Sequence, residues 1–434
     1  MPSPRVLVIG AGAAGLTAAI RAAEAGAAVT LLNAHPKVGL KILMSGGTRC
    51  NVTHRQVTER DFHGGSRNVV ARILRAFTSA QTIAWFQGEL GVPLKLEDTG
   101  KYFPVSDDAQ TVLDALLAAA ERAGVTRVDA ARVVRLQRAG ETWRAGVQRV
   151  ADSAAFGSEV KGFGETKWPL PAREPDEWRD ADAVVLAAGG LSFPRTGSDG
   201  TGYALAGALG HTLVPPVPAL APLSANDPLC AAAQGVACEA ELSLWVNGKR
   251  DVTVCGPLLF AHFGYTGPAA LDLSRHWNRA EGRDRRVTAS FAPGSTRDAL
   301  LREWLDAATR EPLRTVRQHL TAWLPVRIAH ELSWEAEIDP ARALSQVARV
   351  RRDALFARLL ERDLPVTATL GYEKAEVTAG GVRLSEVDPS TLESRVSPGL
   401  FLCGEILDVE GRLGGFNFQW AWSSGTVAGR AAAQ

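Results

Sequence analysis

The sequence predicts an α/β fold: a Rossmann-like domain, split along the chain, that carries an inserted β-rich domain and a helical subdomain. Three observations predict it. The chain opens on an apolar run, Arg5–Ile9, followed by Gly10-Ala11-Gly12-Ala13-Ala14-Gly15 and an Ala-rich helix former. Two distant runs, Asp182–Gly190 and Gly399–Glu405, are again short, apolar and closed by glycine. Between about 212 and 366 the style changes, first to short strands and then to long helical periodicity.

The opening justifies itself residue by residue. An uncharged β-branched run after Arg5 reads as a buried parallel strand. Leu16–Ala25 is helix former, Gly26 stops it, and Val29–Leu32 restarts a strand. Strand, G-x-G-x-x-G, helix, strand is the context that makes a glycine pattern a dinucleotide site. Gly10 permits the tight turn, Gly12 lets backbone approach a pyrophosphate, and Gly15 lets helix and strand pack closely. Free N–H groups at the helix start face the phosphates, and the helix dipole adds about 0.3–2 kcal/mol. The acidic residue expected at the end of the second strand to grip a ribose hydroxyl is replaced by Asn33. The neighbours on the His35 and Lys37 side are candidates to compensate.

Further along, Lys37–Asn51 holds Ser45-Gly46-Gly47 between two lysines and Arg49, which suits wrapping a phosphorylated ligand from its other side. Helices are expected over 68–90 and 109–123, and a strand over Val125–Val134, with Arg132-Val133-Val134 placed to edge past an adenine. Residues 139–180 read as a meander followed by an irregular insertion. The loop from Leu191 to Gly202 implies backbone close to a ligand. Prolines 215, 216, 218 and 222 mark a crossover, and Asn247-Gly248 predicts a hairpin. His262 reads as a half-buried histidine rather than a proton carrier. Residues 296–362 read as helical, with Trp304, Trp323 and Trp334 at core-like positions and the arginines of 349–358 on a solvated face. The resulting division is 1–138, 181–212 and 366–434 for the dinucleotide-binding domain, 139–180 for an irregular insertion, 213–295 for a β-rich domain, and 296–365 for a helical subdomain or lid. The final helix is expected from Trp420 to Ala433, with Gly414-Gly415 before it as a second N-terminal anion hole.

Composition excludes several classes. Lys+Arg 48 against Asp+Glu 47 gives nothing that steers the chain to nucleic acid or anionic lipid. No run of eighteen apolar residues predicts a membrane span. Five cysteines without a C-x-x-C pair argue against a disulfide scaffold, a zinc site and a dithiol relay, and make the cytoplasm the default address. No metal cluster, catalytic triad or paired carboxylates can be assigned, so no catalytic residue is named. The partner expected is a small-molecule substrate, with no nucleic acid and no membrane; the oligomeric state is open.

The three glycine-ended strands belong at the carboxyl edge of one sheet, where open α/β sheets bind ligands. A second anion hole suits the negative charge that a reduced isoalloxazine develops, and so points to non-covalent FAD rather than NAD. The chain resembles the aminoacetone-oxidase-like family of FAD-binding flavoproteins, of the NAD(P)/FAD-dependent oxidoreductase type. The runs that carry the resemblance are G-A-G-A-A-G-L at 10–16, K-I-L-M-S-G-G-T-R-C-N-V-T at 41–53, A-A-G-G-L-S-F-P-R-T-G-S-D-G-T-G-Y at 187–203, F-G-Y-T-G-P-A at 263–269, V-T-A-G-G-V at 377–382 and G-L-F-L-C-G-E-I-L-D-V-E-G-R-L-G-G-F-N-F-Q-W-A-W-S-S-G at 399–425. The resemblance implies a split, glutathione-reductase-type FAD domain. It implies FAD contacts at Gly10, Gly12, Ala14, Gly15, Lys41, Ser45, Gly47, Arg49, Asn51, Val133, Gly189, Gly404, Glu405, Asp408, Gly415, Phe416 and Asn417. Ala13, Asn33, Ala34, Gly46, Cys50, Ala188, Gly190 and Gly414 complete the candidate set. The chain departs from the family at Asn33 (usually Glu), Thr48 (usually Gly) and Phe193 (usually Tyr). The expected function is an FAD-dependent oxidoreductase acting by hydride transfer on a small molecule held between flavin and inserted domain. Either the substrate reduces the flavin directly, or NAD(P)H docks transiently as reductant. The alternatives are an FAD-dependent RNA-modifying protein and a non-catalytic flavin-binding sensor.

Overall fold

A computed structural model describes residues 3–150 and 173–434. The chain divides into two compact units, Met1–Pro218 with Tyr372–Gln434, and Ala219–Gly371. These boundaries lie six residues beyond the expected ones at 212 and 365; the strand Leu213–Ala219 pairs with Val377–Val382 of the first unit, which holds residues 213–218 in it.

In the first unit, β1 (Arg5–Ile9), β2 (Ala28–Leu32), β3 (Thr126–Val128), β4 (Ala183–Leu186) and β5 (Leu400–Leu402) form one parallel sheet in the order β5-β4-β1-β2-β3. Val6, Val8, Leu31, Val184, Leu186, Leu400 and Leu402 are all buried, as strands covered on both faces require. The long segment expected over Val125–Val134 is two strands. Ala130 adopts φ 54°, which turns the chain out of the parallel sheet. Ala131–Ala139 then pairs antiparallel with Thr142–Arg149, which pairs with Glu177–Ala181. Most of the described part of 139–180 is thus regular meander, while 151–172, the remainder of the expected insertion, lies outside the described residues.

Two helices bear on the site. The first, α1 (Ala13–Glu24), follows β1, and α2 (Phe416–Ala432) closes the unit. They pack almost backbone to backbone: a Cβ on Gly425 would fall 2.6 Å from the Ala14 carbonyl oxygen, and one on Gly429 2.3 Å from that of Ala18. The small-residue composition of both helices has this packing as its physical reason. The helix expected over 68–90 is broken into Arg67–Ala76, Ser79–Ala84 and a turn over Trp85–Glu89, with Thr78 capping the middle piece through a hydrogen bond from Gln81 N.

The second unit has its own core. A seven-stranded antiparallel sheet includes the predicted hairpin, Ala237–Val246 with Lys249–Ala261, and Asn247 and Gly248 at its tip both take positive φ. Trp277, Trp304, Phe260, Phe291 and Phe356 fill the interior. Trp304 is buried, but Trp323 and Trp334 are 40% and 50% exposed, against expectation. Helical spacing places Ile328, Ala329 and Leu332 inward in Val326–Glu335, which leaves Trp334 on the outer face beside His330. Asp227 is the buried hub of this unit: Arg362 donates to both its oxygens at 2.6 and 2.9 Å, and the Tyr265 hydroxyl donates to it as well.

Candidate functional site

The carboxyl edge of the parallel sheet gathers the glycine-ended strands. The three glycines of the first turn have three separate reasons. Gly10 has φ 105° and a Cβ there would fall 2.4 Å from the Ala187 carbonyl oxygen at the end of β4. A Cβ on Gly15 would fall 1.8 Å from the Gly10 carbonyl oxygen. Gly12 has φ −83° and ψ −171°, open to any residue, and a Cβ there would meet nothing within 4 Å. Packing therefore demands glycine at 10 and 15 but not at 12. What Gly12 preserves is space over the first turn of α1, where the N–H groups of Ala13, Ala14 and Gly15 precede the first intrahelical bond, from Leu16 to Gly12.

The second helix start lies four residues earlier than expected, at Phe416 rather than Trp420. Gly414 and Gly415 take φ 134° and 90°, which lets the helix begin directly behind them. The Asn417 side chain staples the approach, accepting from Gly411 N and donating to Gly411 O, both at 2.8 Å. Asn51 lies beside this helix start. Its Oδ1 is buried without a hydrogen-bond partner among the described residues, and it comes 2.8 Å from where a Cβ on Gly415 would stand. A buried acceptor left unpaired costs about 1–3 kcal/mol, which a ligand N–H placed there would recover. Gly425 touches the beginning of α1, and Phe416 precedes it by nine residues, so the two helix starts lie about 14 Å apart along α2. A pyrophosphate at one and the far end of an isoalloxazine at the other, joined by a ribityl chain, is a ligand of that length. The residues present fit FAD.

The remaining candidates fall into three settings. Lys41 and Glu405 are brought together: Lys41 Nζ donates to Glu405 Oε2 and to Ser192 Oγ, while Glu405 Oε1 accepts from Ser192 Oγ at 2.9 Å and Thr378 N at 2.7 Å. Glu405 therefore locks β5's exit, beside Gly404 at φ 78°, to the Gly189-Gly190 loop, where Gly189 has φ 72° and a Cβ on Gly190 would strike Thr378. Ala188 faces Gly202, whose Cβ would fall 2.7 Å away. Asp408 is buried, and its carbonyl accepts from Gly65 N at 2.8 Å.

The Ser45-Gly46-Gly47 loop coils tightly. Gly46, Gly47, Thr48 and Cys50 all have positive φ, Ser45 Oγ donates to Ile42 O, and Ser45 O accepts from Cys50 N. Cys50 is buried, and burial pushes its thiol up to about 12, so it remains protonated. Arg49 lies over the Phe103 ring at 4.0 Å and donates to Glu97 at 2.7 Å and Asp107 at 3.3 Å. Two carboxylates already answer its charge.

Val133 is buried in the meander next to Arg132, which forms a buried ion pair with Asp199. Asn33 is buried and Ala34 follows it at the end of β2. His35 Nδ1 accepts from Lys37 N at 2.9 Å, and burial lowers the ring's pKa, so His35 supplies a neutral imidazole rather than a charge. His262 is exposed and stacks edge-on to Phe263. Among the described residues no group of three or more His, Cys, Asp or Glu is arranged to hold a metal.

Such a parallel sheet, with a glycine turn and the α1 N-terminus at its carboxyl edge, defines a Rossmann-type dinucleotide-binding fold, and the relatives place it among the FAD oxidoreductases. The chain belongs to the family described as HI0933-like protein Rossmann domain, which matches residues 4–431. It is 33% identical to a 3-dehydro-bile acid delta(4,6)-reductase of Clostridium scindens over 99% of each chain. It is 32% identical to a ribosomal RNA dihydrouridine synthase of Escherichia coli, over 96% of this chain and 95% of that one. Among solved structures, a 3-ketosteroid-delta4-(5alpha)-dehydrogenase from Rhodococcus jostii in complex with 4-androstene-3,17-dione is similar, with TM-score 0.46 and 16% identity over 99% of this chain and 96% of that one. The expected resemblance holds for an FAD-binding oxidoreductase family; none of these relatives is an aminoacetone oxidase. Among the described residues no helix is long and apolar enough to cross a membrane.

Proposed function

We propose that this chain reduces a carbon–carbon double bond conjugated to a carbonyl in a small molecule, with FAD bound non-covalently and NAD(P)H as the transient reductant. The observation that carries the flavin part is the unpaired, buried Asn51 Oδ1 beside the N-terminus of α2, about 14 Å from the pyrophosphate turn. The reductive direction rests on the relatives: one is named for a reduction of 4,6-unsaturation and the other for making dihydrouridine, both additions of hydrogen across a conjugated double bond.

Bound FAD supplies the two-electron carrier of the reaction. The chain's own residues hold and bias it. The open face at Gly12 admits the pyrophosphate to the α1 N–H groups. Asn51 Oδ1 would accept an N–H of the bound ring, and the α2 N-terminus would stabilise negative charge developing on it, an oxyanion-hole-type role. Lys41, Ser192 and Glu405 fix to one another the loops that leave the carboxyl edge of the sheet. The five cysteines are all free, which fits a reducing cytoplasm.

Purified yellow protein is to be reduced anaerobically with NADH or NADPH and then mixed with enones, with 3-oxo-4,6-dienes or with uridine-containing ribosomal RNA. Reoxidation near 450 nm by an enone or dienone, with a product two hydrogens heavier, is expected. The second reading is favoured by the dihydrouridine synthase relative: reoxidation by RNA alone, with salt-sensitive binding, would select it. Reoxidation by oxygen alone, with amines as donors, would overturn the reductive direction.

A further inference from the structure

We propose that Asp129 supplies the carboxylate that grips the adenosine ribose of the dinucleotide, with Asn33 as its neutral partner. This rests on the FAD reading above and refines it. The end of β2, where a Rossmann turn ordinarily presents an acidic residue to the ribose, carries Asn33. Strands β2 and β3 are parallel neighbours with Leu32 opposite Val128, so the residues that leave them, Asn33 and Asp129, emerge side by side. Asn33 N donates to Val128 O at 2.9 Å, and Asn33 Nδ2 donates to Asp129 Oδ1 at 3.0 Å and to His35 O at 2.7 Å.

That arrangement uses both amide hydrogens and leaves Asn33 Oδ1 as an acceptor. Asp129 Oδ2 accepts from Arg127 Nε at 3.0 Å, yet the carboxylate keeps further lone-pair directions and its side chain is 29% exposed. The charge is therefore held in place beside the ordinary ribose position, with acceptor capacity to spare. It also explains why residue 33 is not acidic. A second carboxylate about 3 Å from Asp129 would repel it and force one of the pair to take a proton. The amide converts that repulsion into a hydrogen bond, so the required charge has moved 96 positions along the chain and only one side chain through space.

The test is FAD binding to apoprotein, followed by quenching of flavin fluorescence, with the thermal transition of each apo variant as a folding control. Asp129→Asn keeps the Oδ1 acceptor for Asn33 but removes the charge and the Oδ2 acceptor of Arg127 Nε. It is expected to weaken FAD about ten-fold, the gap between a charge-assisted and a neutral hydrogen bond. Arg127→Gln, which breaks the same ion pair and leaves the carboxylate, is expected to bind FAD as wild type does. An FAD analogue with a 2′-deoxy adenosine ribose is expected to bind wild type more than about ten-fold more weakly than FAD, and to lose about ten-fold less than that in Asp129→Asn, where only a neutral hydrogen bond is left to lose. Asn33→Glu alone is expected to weaken binding, and Asn33→Glu with Asp129→Asn to restore it. Binding by Asp129→Asn equal to wild type would overturn the inference while leaving the FAD site standing, because a residue that only orients Asn33 would tolerate the amide. Wild-type apoprotein that takes up no FAD would overturn both.

Discussion

Gly12 and Gly15 stand in one six-residue turn, and the structure separates their roles so sharply that one substitution at each should give opposite outcomes. Gly12→Val introduces a side chain at φ −83° and ψ −171°, where a β-branched residue is unstrained, into space with nothing within 4 Å. The apoprotein should fold as wild type. The valine occupies the approach to the α1 N–H groups, so the pyrophosphate loses two charge-assisted hydrogen bonds at about 1.5–3 kcal/mol each. That is roughly 3–6 kcal/mol, or a factor of about 100 to 10,000 or more in FAD affinity. Gly15→Ala places a carbon 1.8 Å from the Gly10 carbonyl oxygen, well inside contact distance, and 3.4 Å from the Ala187 Cβ. The helix must move off the sheet, at a cost at or beyond the 1–3 kcal/mol usual for overpacking. Circular-dichroism melts of the two apoproteins, beside flavin content after purification, provide the assay. Melting must be compared without flavin, because bound ligand itself raises stability. The expected result is Gly12→Val colourless with an unshifted melt, and Gly15→Ala melting several degrees lower. A Gly12→Val protein that retains stoichiometric FAD would refute the assignment of this turn to the pyrophosphate.

Two further outcomes concern stability. Thr48 holds φ 69°, a left-handed conformation that costs a β-branched residue about 1–2 kcal/mol; against the extra backbone entropy of glycine, Thr48→Gly should stabilise the fold by about 0.5–1 kcal/mol, seen as a higher melting temperature, and a lower one would contradict the strain. In the second unit, burial alone would raise the Asp227 pKa, but hydrogen bonds from Arg362 and Tyr265 outweigh it and hold the carboxyl below its ordinary value. A folded pKa below the unfolded one means that the pair stabilises fully above about pH 4 and loses that contribution as pH falls through the lower, folded value. Asp227→Asn should cost about 3–5 kcal/mol at pH 7 and remove that acid-dependent loss, and urea titrations from pH 7 to 3 with equal slopes for variant and wild type would argue against it.

The parts of this protein that its sequence by itself determined are those whose cause lies within four or five residues. The βαβ opening is legible because β-branched residues, three glycines and an alanine run each act on their own backbone. The hairpin at Asn247-Gly248 is legible because positive φ is a property of those two residues. The three glycine-ended strands could be placed at one sheet edge because parallel strands must all finish on the same side.

Contacts across the chain decided the rest. Asp129 could not be connected to Asn33 from the sequence, since only the β2–β3 ladder sets them side by side and the run Val125–Val134 reads as one strand with Asp129 inside it. The orphaned oxygen of Asn51 becomes meaningful only where α2 begins, and that start was misplaced by four residues because Phe416–Gln419 is poor helix former by propensity. Its true position is set by two left-handed glycines and by the Asn417 staple to Gly411. Trp323 and Trp334 lie outside for the same reason: periodicity tells which residues share a helix face, but which face is covered depends on what packs against it. Propensity is written in neighbours, whereas burial and hydrogen-bond partnership are fixed only when distant segments meet.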